Sequence, residues 1–179
     1  MVSDRARIVL AETDIRVVVS FAVACAKPAL DIFEVYYPED LRPREAIKAA
    51  EVFAQGAPRS QSLRDKAWAA QRAATRARDA GEDAASHAAY AAMAAAGSAF
   101  LHPLSQAAQV KHIIGAAGHA ARVRELLRPL GPADGLDDFR NVRPLASPAL
   151  IDILKRYPPA PAGGGRVGAL IRQLDTSLR

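Results

Sequence analysis

The chain has 179 residues, 50% of them hydrophobic, with a formal net charge of +5 and one cysteine. That length suits a single folded unit with its own core, and a lone cysteine excludes an intramolecular disulfide and fits a reducing compartment. Nine acidic and seven basic side chains precede Gly56, against ten and seventeen after it, but the arginines are scattered without interleaved aromatics, which speaks against nucleic acid and for solvated helix faces that would steer an acidic partner.

The first residues, Met1 to Arg7, lack the apolar core and small-residue cleavage site of a secretory leader, so the expected location is the cytoplasm. Thr13-Asp14 reads as a cap ahead of Ile15, Val18, Val19, Ala22 and Val23, whose spacing makes one apolar helix face. Cys25 sits on this run as packing filler. Pro28 interrupts the pattern, but Leu30, Ile32, Phe33 and Tyr36 continue it, predicting one kinked helix or two collinear ones to about Tyr37. A second helix is expected from Asp40 to Pro43 through Phe53, stopping at Gly56-Ala-Pro58. The third, Ser60 to Ala80, turns Leu63, Ala67, Ala70, Ala74 and Ala77 inward, with Trp68 expected as a core anchor.

Between Asp83 and Lys111 no charged side chain occurs, and Ala84 to Ala99 is mostly alanine. Alanine favours helix and lets neighbours approach closely, so this segment is expected at the centre of the fold, ending near Leu101-His102-Pro103. A membrane span is a poor reading, because Pro103 and several polar residues interrupt it and no long Leu/Ile/Phe/Val run is present. A fifth helix is predicted from Leu104 or Ser105 to Leu127, followed by a polar loop from Pro132 to Ser147 with room for a short helical turn. Ser147-Pro148 opens a sixth helix ending at Tyr157, Pro158 to Gly165 is an extended connector, and Val167 to Leu178 is a final amphipathic helix. The expected fold is therefore an all-α, single-domain bundle over 1–179 of six or seven helices around an alanine-rich centre. Residues 1–128 form the main bundle, and 129–179 supply a loop and two C-terminal helices packed on it.

Several of these residues resemble a known family: Phe21-Ala-Val-Ala-Cys25-Ala, Phe33-Glu34, Asp40-Leu-Arg42-Pro43-Arg44-Glu-Ala46-Ile47, His102-Pro103-Leu104, Val110-Lys111-His112-Ile113 and the tail from Leu154 to Arg179. They look like the immunity proteins of bacterial polymorphic-toxin systems, the fifth Imm family and its relatives. The resemblance implies an all-α fold and a non-catalytic role, binding and neutralising a cognate toxin made by the same or a sibling cell.

Two sets of residues stand out as binding candidates. In the Asp40, Arg42, Arg44 corner, the carboxylate is placed to cap the second helix. One arginine is expected to reach back to Asp31, Glu34 or the end of the first helix, leaving the other free to grip an anion. His112 and His119 share one face of the fifth helix, two turns and about 10 Å apart, too far to hold one metal. No metal, cofactor or catalytic constellation is expected. A ligand pocket lined by Tyr90, His102, Lys111 and His112 is the alternative reading, that of a small-molecule binder or an enzyme working by histidine acid–base chemistry. Gly115-Ala-Ala-Gly118 offers a close-packing face, either within one chain or across the axis of a homodimer.

Overall fold

Alanine methyl groups set the architecture. In the computed structural model, which describes residues 6–128 and 139–179, the alanine-rich segment forms helix α4 (Asp83–Gly97). Ala85, Ala88, Ala89, Ala91, Ala92, Ala95 and Ala96 are all fully buried. With no side chain beyond Cβ at these positions, α1 (Glu12–Tyr36), α2 (Arg42–Ala54), α3 (Gln61–Asp79) and α5 (Val110–Leu127) all pack directly on α4. The larger core side chains come from the surrounding helices: Val18, Val19 and Phe33 of α1, Phe53 of α2, and Ile113 and Ile114 of α5. Helix α6 (Pro148–Lys155) adds Leu150, Ile153 and Leu154 and packs on α1, while α7 (Gly165–Leu178) adds Leu170 and Leu174 and packs on α5. The fold is an all-α bundle with seven α-helices among the described residues.

Most helix ends follow the expected chemistry. Ser60 Oγ accepts the Leu63 N–H at 3.2 Å to start α3, and Ser147 Oγ accepts the Leu150 N–H at 3.2 Å to start α6. Gly81 takes φ +80°, which an L side chain rarely adopts, and so separates α3 from α4 with almost no connector. Pro28 does not end α1, which is one 25-residue helix. The proline lies on its exposed side, where the hydrogen bond it cannot make to partly exposed Ala24 is lost beside water. Cys25 is buried as expected, and burial pushes its thiol up to about 12.

The starts of α1 and α5 differ from the sequence reading, and the loop before α6 holds the short turn it had room for. Helix α1 starts at Glu12, before Thr13-Asp14, and Asp14 reaches back to accept the Ala11 N–H at 3.0 Å. Leu104 and Ser105 are not helical. Leu104 pairs with Arg7 in an isolated antiparallel bridge, with Ile8 N–H to Pro103 O and Ser105 N–H to Ala6 O both at 3.0 Å, and α5 begins only after a 3₁₀ turn at Ala107–Gln109. A further 3₁₀ turn, Arg143–Leu145, occupies the end of the expected 132–147 loop, whose first part lies outside the described residues.

Polar contacts fasten the C-terminal helices. Asp175, almost fully buried, accepts the Ala160 N–H at 2.8 Å and Arg179 Nε at 2.7 Å, pinning the proline-rich connector to α7. Tyr157 Oη donates to the His102 carbonyl at 2.9 Å, and Arg156 bridges Asp14 of α1 and Asp152. The Gly115–Gly118 face is used within the chain: Gly118 lies under Ile171 and Val167 of α7, and Gly115 faces Ala94 of α4.

Candidate functional site

At the first corner, Tyr37 and Pro38 end α1, and Asp40 precedes Arg42, the first residue of α2. Asp40 accepts the Arg42 backbone N–H at 3.3 Å and Arg42 Nε at 2.8 Å, and Arg76 of α3 lies 3.5 Å from its other oxygen. The Arg42 guanidinium holds this carboxyl below the usual carboxylate range. Arg76 also sits over the Tyr37 ring, 5.0 Å from its centroid. Arg44 does not remain free: its Nε donates to Glu34 at 2.7 Å. The expectation of one uncommitted arginine is therefore corrected. Two sets of ion pairs tie the corner together: Arg44 joins α2 to Glu34 in the last turn of α1, and Arg42 and Arg76 converge on Asp40, joining α3 to the start of α2.

The four histidines separate into two pairs. His87 of α4 and His119 of α5 approach Nδ1 to Nδ1 at 3.1 Å, so one ring donates and the other accepts, a geometry that holds the pair neutral. Burial, then the neighbouring Arg122, lowers His87 from the ordinary imidazole value, and burial with the partner ring pushes His119 down to about 3. Tyr90 stacks on His119 with ring centroids 5.3 Å apart. Tyr90 thus belongs here and not beside His112, and no group of three or more metal-ligating side chains occurs among the described residues.

His102 and His112 do come together, in a cleft of about 360 Å³ between α3, α4 and α5. Its other linings include Arg64, Trp68 and Gln71 of α3, Met93 and Gly97 of α4, and Phe100. Lys111 is outside this lining with its side chain in solvent, although its charge adds to burial in pushing His112 down to about 4. Trp68 corrects the core assignment, since it is 56% exposed at the rim. The signal was present in the sequence: Leu63, Ala67, Ala70, Ala74 and Ala77 define the buried face, and Arg64, Trp68, Gln71 and Arg78 form the neighbouring stripe. Arg64 lies 4.4 Å over the Phe100 ring. The cleft therefore offers a guanidinium, two imidazoles, an amide and two aromatic rings, and no carboxylate, hydroxyl or thiol. Such a set recognises an anionic, partly apolar group.

The chain is thus an all-α helical bundle with a cleft between α3, α4 and α5. Residues 9–129 match the family model described as "Imm-5 like putative immunity protein", and the chain belongs to that family. The matched stretch spans all of α1 to α5 and with them the charged corner, both histidine pairs and the cleft. No curated protein and no solved structure matches the chain. No helix among the described residues is long and apolar enough to cross a membrane.

Proposed function

We propose that this chain is the immunity component of a bacterial polymorphic-toxin system, a non-catalytic protein that binds a cognate toxin in the cytoplasm and neutralises it. The observation that carries the reading is the family match over residues 9–129. Inhibition by occlusion needs a preformed surface of suitable shape and charge and no reacting groups, and a helical bundle presents rigid side chains for it. The excess of basic side chains after Gln55 would steer an acidic toxin surface.

The test is coexpression with the toxin encoded beside this gene. Growth should be restored, and the two purified proteins should elute as one complex. Toxicity that persists in the presence of well-expressed, folded protein refutes the reading. The cleft at Trp68, His102 and His112 favours one alternative, a small-molecule binder, because its size lies within the range of ligand pockets. Biosynthetic oxygenases or synthases encoded beside this gene, in place of a toxin, would support it.

A further inference from the structure

Several cations are locked to a carboxylate: Arg42 to Asp40, Arg44 to Glu34, Arg122 to Glu125, Arg156 to Asp14 and Asp152. Arg64 differs. Like exposed Lys48, Arg59 and Arg72 it has no carboxylate partner among the described residues, but it lines the cleft, over the Phe100 ring; Lys111 of α5, outside the lining but next in sequence to His112, is exposed and has none either. Beside Arg64 the apolar surface of Trp68, Phe100 and Met93 stays partly uncovered by the chain itself. An exposed tryptophan beside an unneutralised arginine is the composition of an interface hot spot.

We propose that this cleft between α3, α4 and α5 is the toxin-docking surface, and that it takes a segment of the toxin carrying an aspartate or glutamate next to an apolar side chain. The inference rests on the function proposed above and adds the location and the chemistry. The carboxylate pairs with Arg64, whose fork suits bidentate binding, while Lys111 adds long-range attraction. The apolar side chain covers Trp68 and Met93. A metabolite enclosed among His102 and His112 would leave the rim face of Trp68 in water, whereas a polypeptide crossing the cleft covers rim and floor together, so the geometry points to a protein.

Titration calorimetry of the purified protein with an active-site-inactivated form of the toxin tests this. Trp68→Ala should weaken binding by at least about 30-fold, and Arg64→Glu by at least about 10-fold with a shallower salt dependence. Lys155→Glu, an equal charge reversal on α6, which contributes no residue to the cleft lining, should stay within about threefold because an exposed charge outside the contact is screened. All three side chains are exposed, and unchanged melting curves would verify folding. Since Trp68 is the only tryptophan, 5-fluorotryptophan gives a single fluorine resonance that should shift on adding toxin. Wild-type affinity retained by both cleft variants overturns the docking surface and leaves the immunity function standing. Failure of the wild-type protein to bind removes both. A resonance indifferent to toxin but shifted by a small aromatic carboxylate such as benzoate overturns the proposal in favour of a metabolite.

Discussion

Two glycines three residues apart on α5 should respond to the same substitution with opposite signs. A Cβ added at Gly115 meets only Ala94 Cβ, at 3.9 Å, an ordinary contact. Gly115→Ala should therefore keep the helix-propensity gain of about 0.5 to 1 kcal/mol that alanine has over glycine in a helix interior. A Cβ at Gly118 falls 2.6 Å from Ile171 Cγ1 and 3.3 Å from its Cδ1. Cγ1 hangs from a branched Cβ whose rotamer is nearly fixed in a helix, so relief requires an off-rotamer isoleucine or a displaced α7. Overpacking of this kind costs about 1 to 3 kcal/mol, which offsets the propensity gain and leaves a net loss of up to about 2.5 kcal/mol.

For a protein of this size each kcal/mol moves Tm by about 2 to 4 °C. In thermal denaturation followed by circular dichroism, Tm should rise by about 1 to 4 °C for Gly115→Ala and fall by up to about 10 °C for Gly118→Ala. Adding Ile171→Ala to Gly118→Ala should recover part of the loss, giving a coupling of about 0.5 kcal/mol or more in a double-mutant cycle. Equal shifts of the same sign at both glycines, with no coupling to Ile171, would refute the close packing of α7 on α5.

Three further outcomes follow from the packing and charge arrangement. Ala92→Leu or Ala95→Leu, at positions with no exposure, should destabilise by about 1 to 3 kcal/mol in chemical denaturation. Asp40→Ala should cost about 0.5 to 2 kcal/mol by the same measurement, since it removes the acceptor at the start of α2 and strands Arg42, whereas Arg44→Ala should leave the denaturation midpoint unchanged because its pair with Glu34 is solvent-exposed. Stability followed against pH should fall in two windows. His112 titrates near 4 in the folded chain against about 6.5 unfolded, so between those values the unfolded state holds more protons and stability drops as the pH falls, a slope that His112→Gln should flatten. Asp14, Asp40 and Glu125 are depressed in the fold, so their contribution is present above the unfolded carboxylate range and is lost at still lower pH.

Helix periodicity and punctuation were legible because they are local. The proline and glycine stops after α1, α2 and α3, the serine caps and the buried alanine run all follow from neighbours within a few residues. What was not legible depends on register between elements. Whether Leu104 starts a helix is decided by its pairing with Arg7, nearly a hundred residues earlier, and whether His119 meets His87 is decided by how far α4 slides along α5. Of the four residues grouped from the sequence, His102 and His112 line one cleft, whereas Tyr90 stacks on His119 and Lys111 lies outside the lining, because helix rotation separates them. Trp68 was misassigned for a different reason: its size outweighed its place on the stripe next to the alanine face.

The alanine content of α4 also decides where recognition chemistry emerges. Beyond its first turn, the only α4 side chains larger than serine are His87, Tyr90 and Met93, spaced three apart, and each is partly exposed. The other residues beyond the first turn are small and most are buried, so the larger side chains surface along the seam between α3 and α5, both of which pack on α4. One end of that seam is sealed by the His87–His119 pair and Tyr90. At the other, Gly97 and the 3₁₀ turn Ser98–Phe100 leave the helices apart, and the cleft opens with Arg64 and Trp68 on its α3 wall. The corner at Asp40 has stronger individual charges, but each arginine there already has its carboxylate, so a partner would have to break pairs before making any. At the cleft a partner's carboxylate meets a guanidinium with no ion pair to break, over apolar surface that gains from being covered, and that difference favours the open end of the seam over the motif most visible in the sequence.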